Sequence, residues 1–223
     1  STLALGAAAD IGVLLLAVFT AINPAFMSAQ NISNAFTFTV ELGLIALAMT
    51  LLMTSGEFDL SVGSVFGFSA VLMWTLFNTG LMPMGVAFLA AMAMALFIGW
   101  ANGMLVTKEG IPSFLVTLGM LLVVRGTALY TTQGFPQNTW RADDQWLAEV
   151  LVGDVTIFGL RLYMSMFWFA LFAIVAHYVL TQTKVGNWIQ ASGGNANAAR
   201  ARGVPVHRVK IALFMVSSAL AAF

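Results

Sequence analysis

The feature that most constrains this chain is a succession of apolar runs, each about long enough to cross a bilayer, separated by short polar joints. A transmembrane helix needs about 20 mostly apolar residues. Seven stretches qualify: 3–22, 36–54, 62–79, 84–106, 111–131, 162–181 and 209–223. Only 8% of the residues are charged, against about a quarter in an ordinary soluble chain, so lipid must solvate most of the surface. The expected fold is an all-α, polytopic transmembrane helical bundle of about seven spans, with 1–223 as one membrane domain. There is no cysteine, which excludes a disulfide framework or a thiolate metal site. His177 and His207 lie far apart, and no dense basic patch points to nucleic acid.

A net charge of zero hides an uneven distribution. Between Thr183 and Lys210 stand Lys184, Arg200, Arg202, Arg208 and Lys210 with no acid among them. Between Thr131 and Arg161 stand Asp143, Asp144, Glu149 and Asp154 against Arg141 and Arg161. Basic loops stay on the cytoplasmic side, so 183–208 is expected inside and 131–161 outside. Threading seven spans from a cytoplasmic N-terminus gives the same answer. The run 3–22 also has features of a signal peptide, with small residues after it, but Asp10 and the six later spans favour a retained helix. The final run stops at Phe223 while still apolar, and the chain is expected to be incomplete. In the outer loop, Val150-Leu151-Val152 and Val155-Thr156-Ile157-Phe158 flank Gly153-Asp154, which suggests a tight hairpin there. Trp140 and Trp146 would sit at headgroup level; an irregular loop is the other reading.

Four segments interrupt the apolar pattern. In Ser55-Gly56-Glu57-Phe58-Asp59-Leu60-Ser61-Val62-Gly63-Ser64, two carboxylates sit between spans, where charges normally face a cavity, a partner or water. Asp59 reads as an N-cap of the next helix; Glu57 has no comparable explanation. Gly63 and Gly67 form a face suited to close helix packing. The second segment, Pro112 to Met120 followed by Arg125-Gly126, starts a helix at a proline, whose missing N–H costs nothing there. Arg125 is a basic residue deep inside a span, at a depth like that of Glu41, so the two are candidates for a buried pair; the alternative is that Arg125 snorkels to the headgroups. The third, Gly99-Trp100-Ala101-Asn102-Gly103, is a second small-residue face. The fourth runs from Lys184 to Pro205. Asn195 is a good N-cap, and Gly203 and Pro205 stop the helix, giving a short two-turn helix over 195–202. A helix so short needs a partner surface.

Together these segments resemble the sugar-transport permeases of ABC importers, the group that contains the ribose permease. The family's SGxDLSVGS-type stretch is matched by Ser55–Ser64, its PxFxxTLGM stretch by Pro112–Met120 with Arg125-Gly126, and its GGNxxAAxxxGI-like loop by Gly193, Gly194, Asn195, Ala198, Ala199 and Gly203. The resemblance covers about residues 30 to 223; Glu41 departs from it. It implies a permease in the bacterial inner membrane that forms a translocation path with a second, like or homologous, permease. A periplasmic solute-binding protein would deliver the sugar, and a cytoplasmic ATP-binding subunit would dock on the 195–202 helix. Glu41, Glu57, Asp59, Ser61, Phe114 and Arg125 are then candidates for the path or for buried charge. Gly193, Gly194, Asn195, Ala198, Ala199, Arg202 and Gly203 are candidates for ATPase coupling. No cofactor is expected in this chain; independently, it has no GxxxxGK[ST] phosphate loop, so ATP would be used by the partner.

Three rivals differ in class. An ion-coupled secondary transporter needs ionisable groups at the midplane, for which Glu41, Glu57 and Asp59 are available. A branched-chain amino-acid ABC permease is nearer, but Asp59-Leu60-Ser61-Val62-Gly63 favours the sugar group. A membrane enzyme fits least, because no nucleophile–base pair stands at usable spacing.

Overall fold

The computed structural model describes residues 2–135, 145–157 and 160–223. Ten helices and one hairpin follow in order: α1 (Thr2–Ile22), a 3-10 turn (Pro24–Met27), α2 (Ala29–Thr54), α3 (Val62–Asn78), α4 (Met84–Thr107), α5 (Ser113–Thr132), α6 (Gln145–Val152), β1 (Asp154–Ile157), β2 (Leu160–Tyr163), α7 (Met164–Gln182), α8 (Lys184–Gly194), α9 (Ala196–Ala201) and α10 (Val206–Ala222). Four helices, α2, α4, α5 and α7, are long and apolar enough to cross a membrane on their own. With 17 residues, α3 and α10 would rise only about 26 Å, just short of a 30 Å hydrocarbon core. The chain is an all-α, polytopic helical membrane protein.

α10 forms the axis, packing along α4 and flanked by α2 and α3; α3 links α4 to α5, and α2 carries α7. The α4–α10 crossing is close because α4 presents glycine there. A β-carbon on Gly99 would overlap the Phe214 carbonyl oxygen, and one on Gly103 would lie 2.7 Å from Ile211 Cα. Around this crossing lies an apolar layer that includes Leu52, Val106, Ile189 and the fully buried Phe214. A middle layer joins Val65, Ala95, Ile98 and Ala221, and a third at the far end joins Phe77, Met84 and Leu147. α7 buries Ala176 but exposes Phe167, Leu171, Ile174 and Tyr178, an apolar face that only lipid or another apolar surface can cover.

Three expectations are revised. The hairpin is displaced from Gly153-Asp154: Val150–Val152 belong to α6, and β1 pairs with β2 in antiparallel register, Asp154 opposite Tyr163 and Ile157 opposite Leu160. Tertiary contacts decide this. Leu147 and Leu151 pack on the ends of α3 and α4, and Trp168 Nε1 donates to the Val150 carbonyl at 3.0 Å. The Gly153 N–H donates to Glu149 O at 3.1 Å and so closes the helix. Second, Gly63 and Gly67 meet nothing: a β-carbon on either has no atom within 4 Å, so within this chain they make no close helix contact. Third, 184–194 is helical as well. Thr183 caps α8 by accepting from the Gly186 N–H at 3.2 Å, and Gly186, Ile189 and Ser192 form its buried face. Trp146 is exposed on α6; Asn138, Trp140, Arg141, Asp143 and Asp144 lie outside the described residues.

Candidate functional site

Segments far apart in sequence meet at the end of the bundle that carries α8 and α9. α2 ends where the Ser55 hydroxyl donates to the Leu52 carbonyl at 2.7 Å, and Gly56, at φ +82°, turns the chain in a conformation that favours glycine. Here the connection touches the end of α8, backbone to backbone. A β-carbon on Gly193 would overlap the Thr54 carbonyl oxygen, and one on Gly56 would lie 3.4 Å from Gly193 Cα. The next residue, Glu57, forms an ion pair with Lys210 in the first turns of α10, each side chain 14% exposed. The Phe58 N–H donates to the Ser113 hydroxyl at the start of α5, at 3.3 Å. The 55–61 connection thus ties together the ends of α2, α5, α8 and α10.

Asp59 lies deeper. Its Oδ1 accepts from the Ser61 N–H at 2.8 Å and from the Ser61 hydroxyl at 2.6 Å. Asn102 of α4 donates to the same hydroxyl at 3.0 Å. All three side chains are buried. The expected N-cap takes a different form: Asp59 closes an Asx-type turn two residues on and makes no bond into α3. Burial pushes the Asp59 carboxyl above its ordinary range, opposed by the two Ser61 hydrogen bonds. Asp59 Oδ2 and Asn102 Oδ1 have no protein partner.

Beyond this hub lies α9. Asn195 caps it, accepting from the Asn197 and Ala198 N–H groups at 3.1 and 3.0 Å. Gly194, Asn195, Ala198, Arg202 and Gly203 are exposed, but Ala199 is buried at 4% exposure. Ala198 and Ala199 were both candidates for ATPase coupling, but successive helical residues point about 100° apart, and here Ala198 is exposed and Ala199 buried. Gly193 is exposed too, but the side of its backbone where a β-carbon would stand meets Thr54.

Glu41 and Arg125 do not pair. Among the described residues the ion pairs are Glu57–Lys210 and Asp154–Arg161, and Glu41 and Arg125 line separate cavities. Arg125 lies in an open groove between α3 and α5, beside Gly63, Ser64 and Gly67. Glu41 faces a cavity between α2 and the hairpin end of the bundle, together with Thr37, Tyr163 and Ser165. Phe114 is exposed in the first turn of α5. A separate apolar cavity of about 420 Å³ between α7, α8 and α10 has no polar side chain to orient a solute. No group of three His, Asp or Glu side chains converges among the described residues.

Sequence reasoning did not identify Lys210 as the partner of Glu57. The only signal was a lysine placed inside an apolar run, which had been counted as one more positive charge of the basic loop. Ser113 and Asn102 were visible as polar residues at span ends, but nothing local showed that both reach the 55–61 connection.

The family described as branched-chain amino acid transport system / permease component matches residues 31–223. The chain is 30% identical over 218 residues to the xylose/arabinose import permease of Sulfolobus acidocaldarius, covering 95% of this chain and 58% of that protein. It is 29% identical over 210 residues to the ribose import permease of Haemophilus influenzae, covering 94% and 64%. With the autoinducer 2 import permease of Enterobacter sp. it shares 31% identity over 208 residues, covering 93% and 58%. The chain therefore spans about three fifths of the length of these relatives. No solved structure matches it. With nearly all of its spans inside the matched region, the chain belongs to the permease-component family of the branched-chain amino acid transport system type.

Proposed function

We propose that this chain is the membrane-spanning permease of an ATP-driven importer for a sugar or sugar-like solute. The observation that carries the reading is the junction at the α8–α9 end. There the exposed α9 is joined through Gly193 and the 55–61 connection to the ends of α2, α5 and α10. A push on α9 therefore reaches several spanning helices through backbone contact and an ion pair, which is what an importer driven by an external ATPase requires. α9 presents Ala198, Arg200 and Arg202 outward, a compact basic surface for that ATPase. The 183–208 loop and the N-terminus are then cytoplasmic, the 131–161 loop is periplasmic, and the membrane is the bacterial inner membrane. A periplasmic binding protein and a second permease complete the assembly.

Relatives named for ribose, xylose/arabinose and autoinducer 2 import favour a hydroxylated solute over the branched-chain amino acids of the family's description. The deciding measurement is uptake into vesicles by the full permease assembled with its ATPase and binding protein. Sugar uptake that stops with vanadate and survives an uncoupler is expected. Loss with the uncoupler alone identifies an ion-coupled carrier instead. Orientation is checked in this cysteine-free chain with cysteines at Asn138 and Asn197. An impermeant thiol reagent should reach position 138 from outside intact cells and position 197 only in inverted vesicles.

A further inference from the structure

Glu41 is a carboxylate inside a membrane-spanning helix and, among the described residues, it has neither an ion-pair nor a hydrogen-bond partner. Such a group normally faces a cavity or water and marks a functional position. Its surroundings are specific. Glu41 lines a cavity of about 340 Å³ whose walls include Thr37 on the same helix, Tyr163 at the end of β2, Ser165 in the first turn of α7, and the rings of Phe66 and Phe223. The end of α6 roofs it. The Ser165 hydroxyl is buried and also has no partner. The Thr37 hydroxyl donates to the Ser33 carbonyl at 3.0 Å, which leaves its lone pairs free to accept. Glu41 is exposed, and it lines the same cavity as the buried Ser165 hydroxyl, whose lack of a partner is costly.

We infer that this cavity is a binding site for a neutral polyhydroxylated solute of monosaccharide size, with Glu41 as its principal hydrogen-bond acceptor. The inference rests on the importer reading and assigns the solute a place in the path. The chemistry of the walls selects the class. A carboxylate accepts only, and so matches two sugar hydroxyls as donors; the Ser165 and Tyr163 hydroxyls can both give and take. Aromatic rings cover the apolar C–H faces of a sugar. A free amino acid is matched at one end only: Glu41 can meet its ammonium, but no lysine or arginine among the described residues lines the cavity to meet its carboxylate. A metal cation fits no better, since Glu41 is the one carboxylate in the lining and such ions take six or more oxygen ligands. The volume lies at the low end for small-molecule sites, as a single sugar ring requires. The cavity also sits at the hairpin end, where a solute handed over from outside would first enter the bundle.

The absence of cysteine makes a direct test possible. Ser165→Cys is introduced into the full permease assembled with its ATPase, and the rate of thiol labelling is measured with D-ribose, D-xylose or L-leucine added. A sugar at about ten times its dissociation constant should slow labelling roughly tenfold by simple occupancy, and L-leucine should not. Glu41→Leu in the same background should abolish the protection, while a cysteine at Leu81, exposed between α3 and α4, should label at one rate throughout. Protection by leucine but not by sugar, or protection that survives Glu41→Leu, overturns the site. If wild-type vesicles accumulate a sugar with ATP and that sugar gives no protection, the site is wrong and the importer reading stands. If no sugar is accumulated with ATP, the importer reading itself fails.

Discussion

Two helices of this protein carry the same small-residue spacing and use it in opposite ways. On α4, Gly99 and Gly103 are pressed against the backbone of α10, with no room for a methyl group. On α3, Gly63 and Gly67 face open space beside Arg125. The spacing makes a flat strip in both cases; what lies on the strip depends on which neighbour the chain brings there. On α4 the strip is consumed by the fold. On α3 it remains available, next to a cation that has no ion-pair partner among the described residues.

The largest effects should come from the closed side. Lys210→Met leaves Glu57 half-buried and unpaired, and should cost about 3–5 kcal/mol, with Glu57→Gln added in the same chain restoring most of it. Thermal unfolding of the detergent-solubilised protein reads both. Equal losses in the single and double variants would show that the pair does not clamp α10. Next, Gly99→Ala and Gly103→Ala should each cost about 1–3 kcal/mol by overpacking the α4–α10 crossing. The same contrast recurs within one turn of α9. Ala199→Trp should destabilise by a similar 1–3 kcal/mol, because that side chain is buried. Ala198→Trp should stay within about 0.5 kcal/mol yet reduce copurification of the ATPase. Normal copurification and uptake with Ala198→Trp would leave α9 an ordinary linker.

On the open side, Gly63→Ala and Gly67→Ala should be neutral or stabilising by up to about 1 kcal/mol, since a helix gains from the exchange and nothing collides. Should they destabilise only the assembled transporter, a neighbouring chain covers that strip, and the difference between the two helices reduces to which partner supplies the contact. The smallest effect expected is the coupling between Glu41→Gln and Arg125→Gln. The two residues line separate cavities, so a double-mutant cycle on folded yield should be additive within about 0.5 kcal/mol. A larger coupling would bring them back into contact.

Much of this was legible along the chain, because membranes impose local rules. Span length, apolar composition and charge asymmetry are properties of contiguous sequence, and α2, α4, α5 and α7 fall close to the stretches that hydropathy selects. Helix ends were legible for the same reason. Asn195 caps α9 with its own side chain, and Pro112 precedes α5; both interactions close within a few residues. The motif segments were also recognisable, but their meeting was not, since the bonds that join them span 41 to 153 residues of sequence.

What only the tertiary structure decided were the choices between locally equal options. Gly153-Asp154 is as good a hairpin turn as any, but packing of Leu147 and Leu151 keeps 150–152 helical and moves the strands past it. Glu41 and Glu57 are both acids that interrupt apolar sequence; Lys210 pairs with Glu57, and Glu41 is left facing a cavity. A residue's chemistry is written in its side chain and its local structure in its neighbours. Its partner is set by packing across the bundle, where contact depends on the helix crossings of the whole fold.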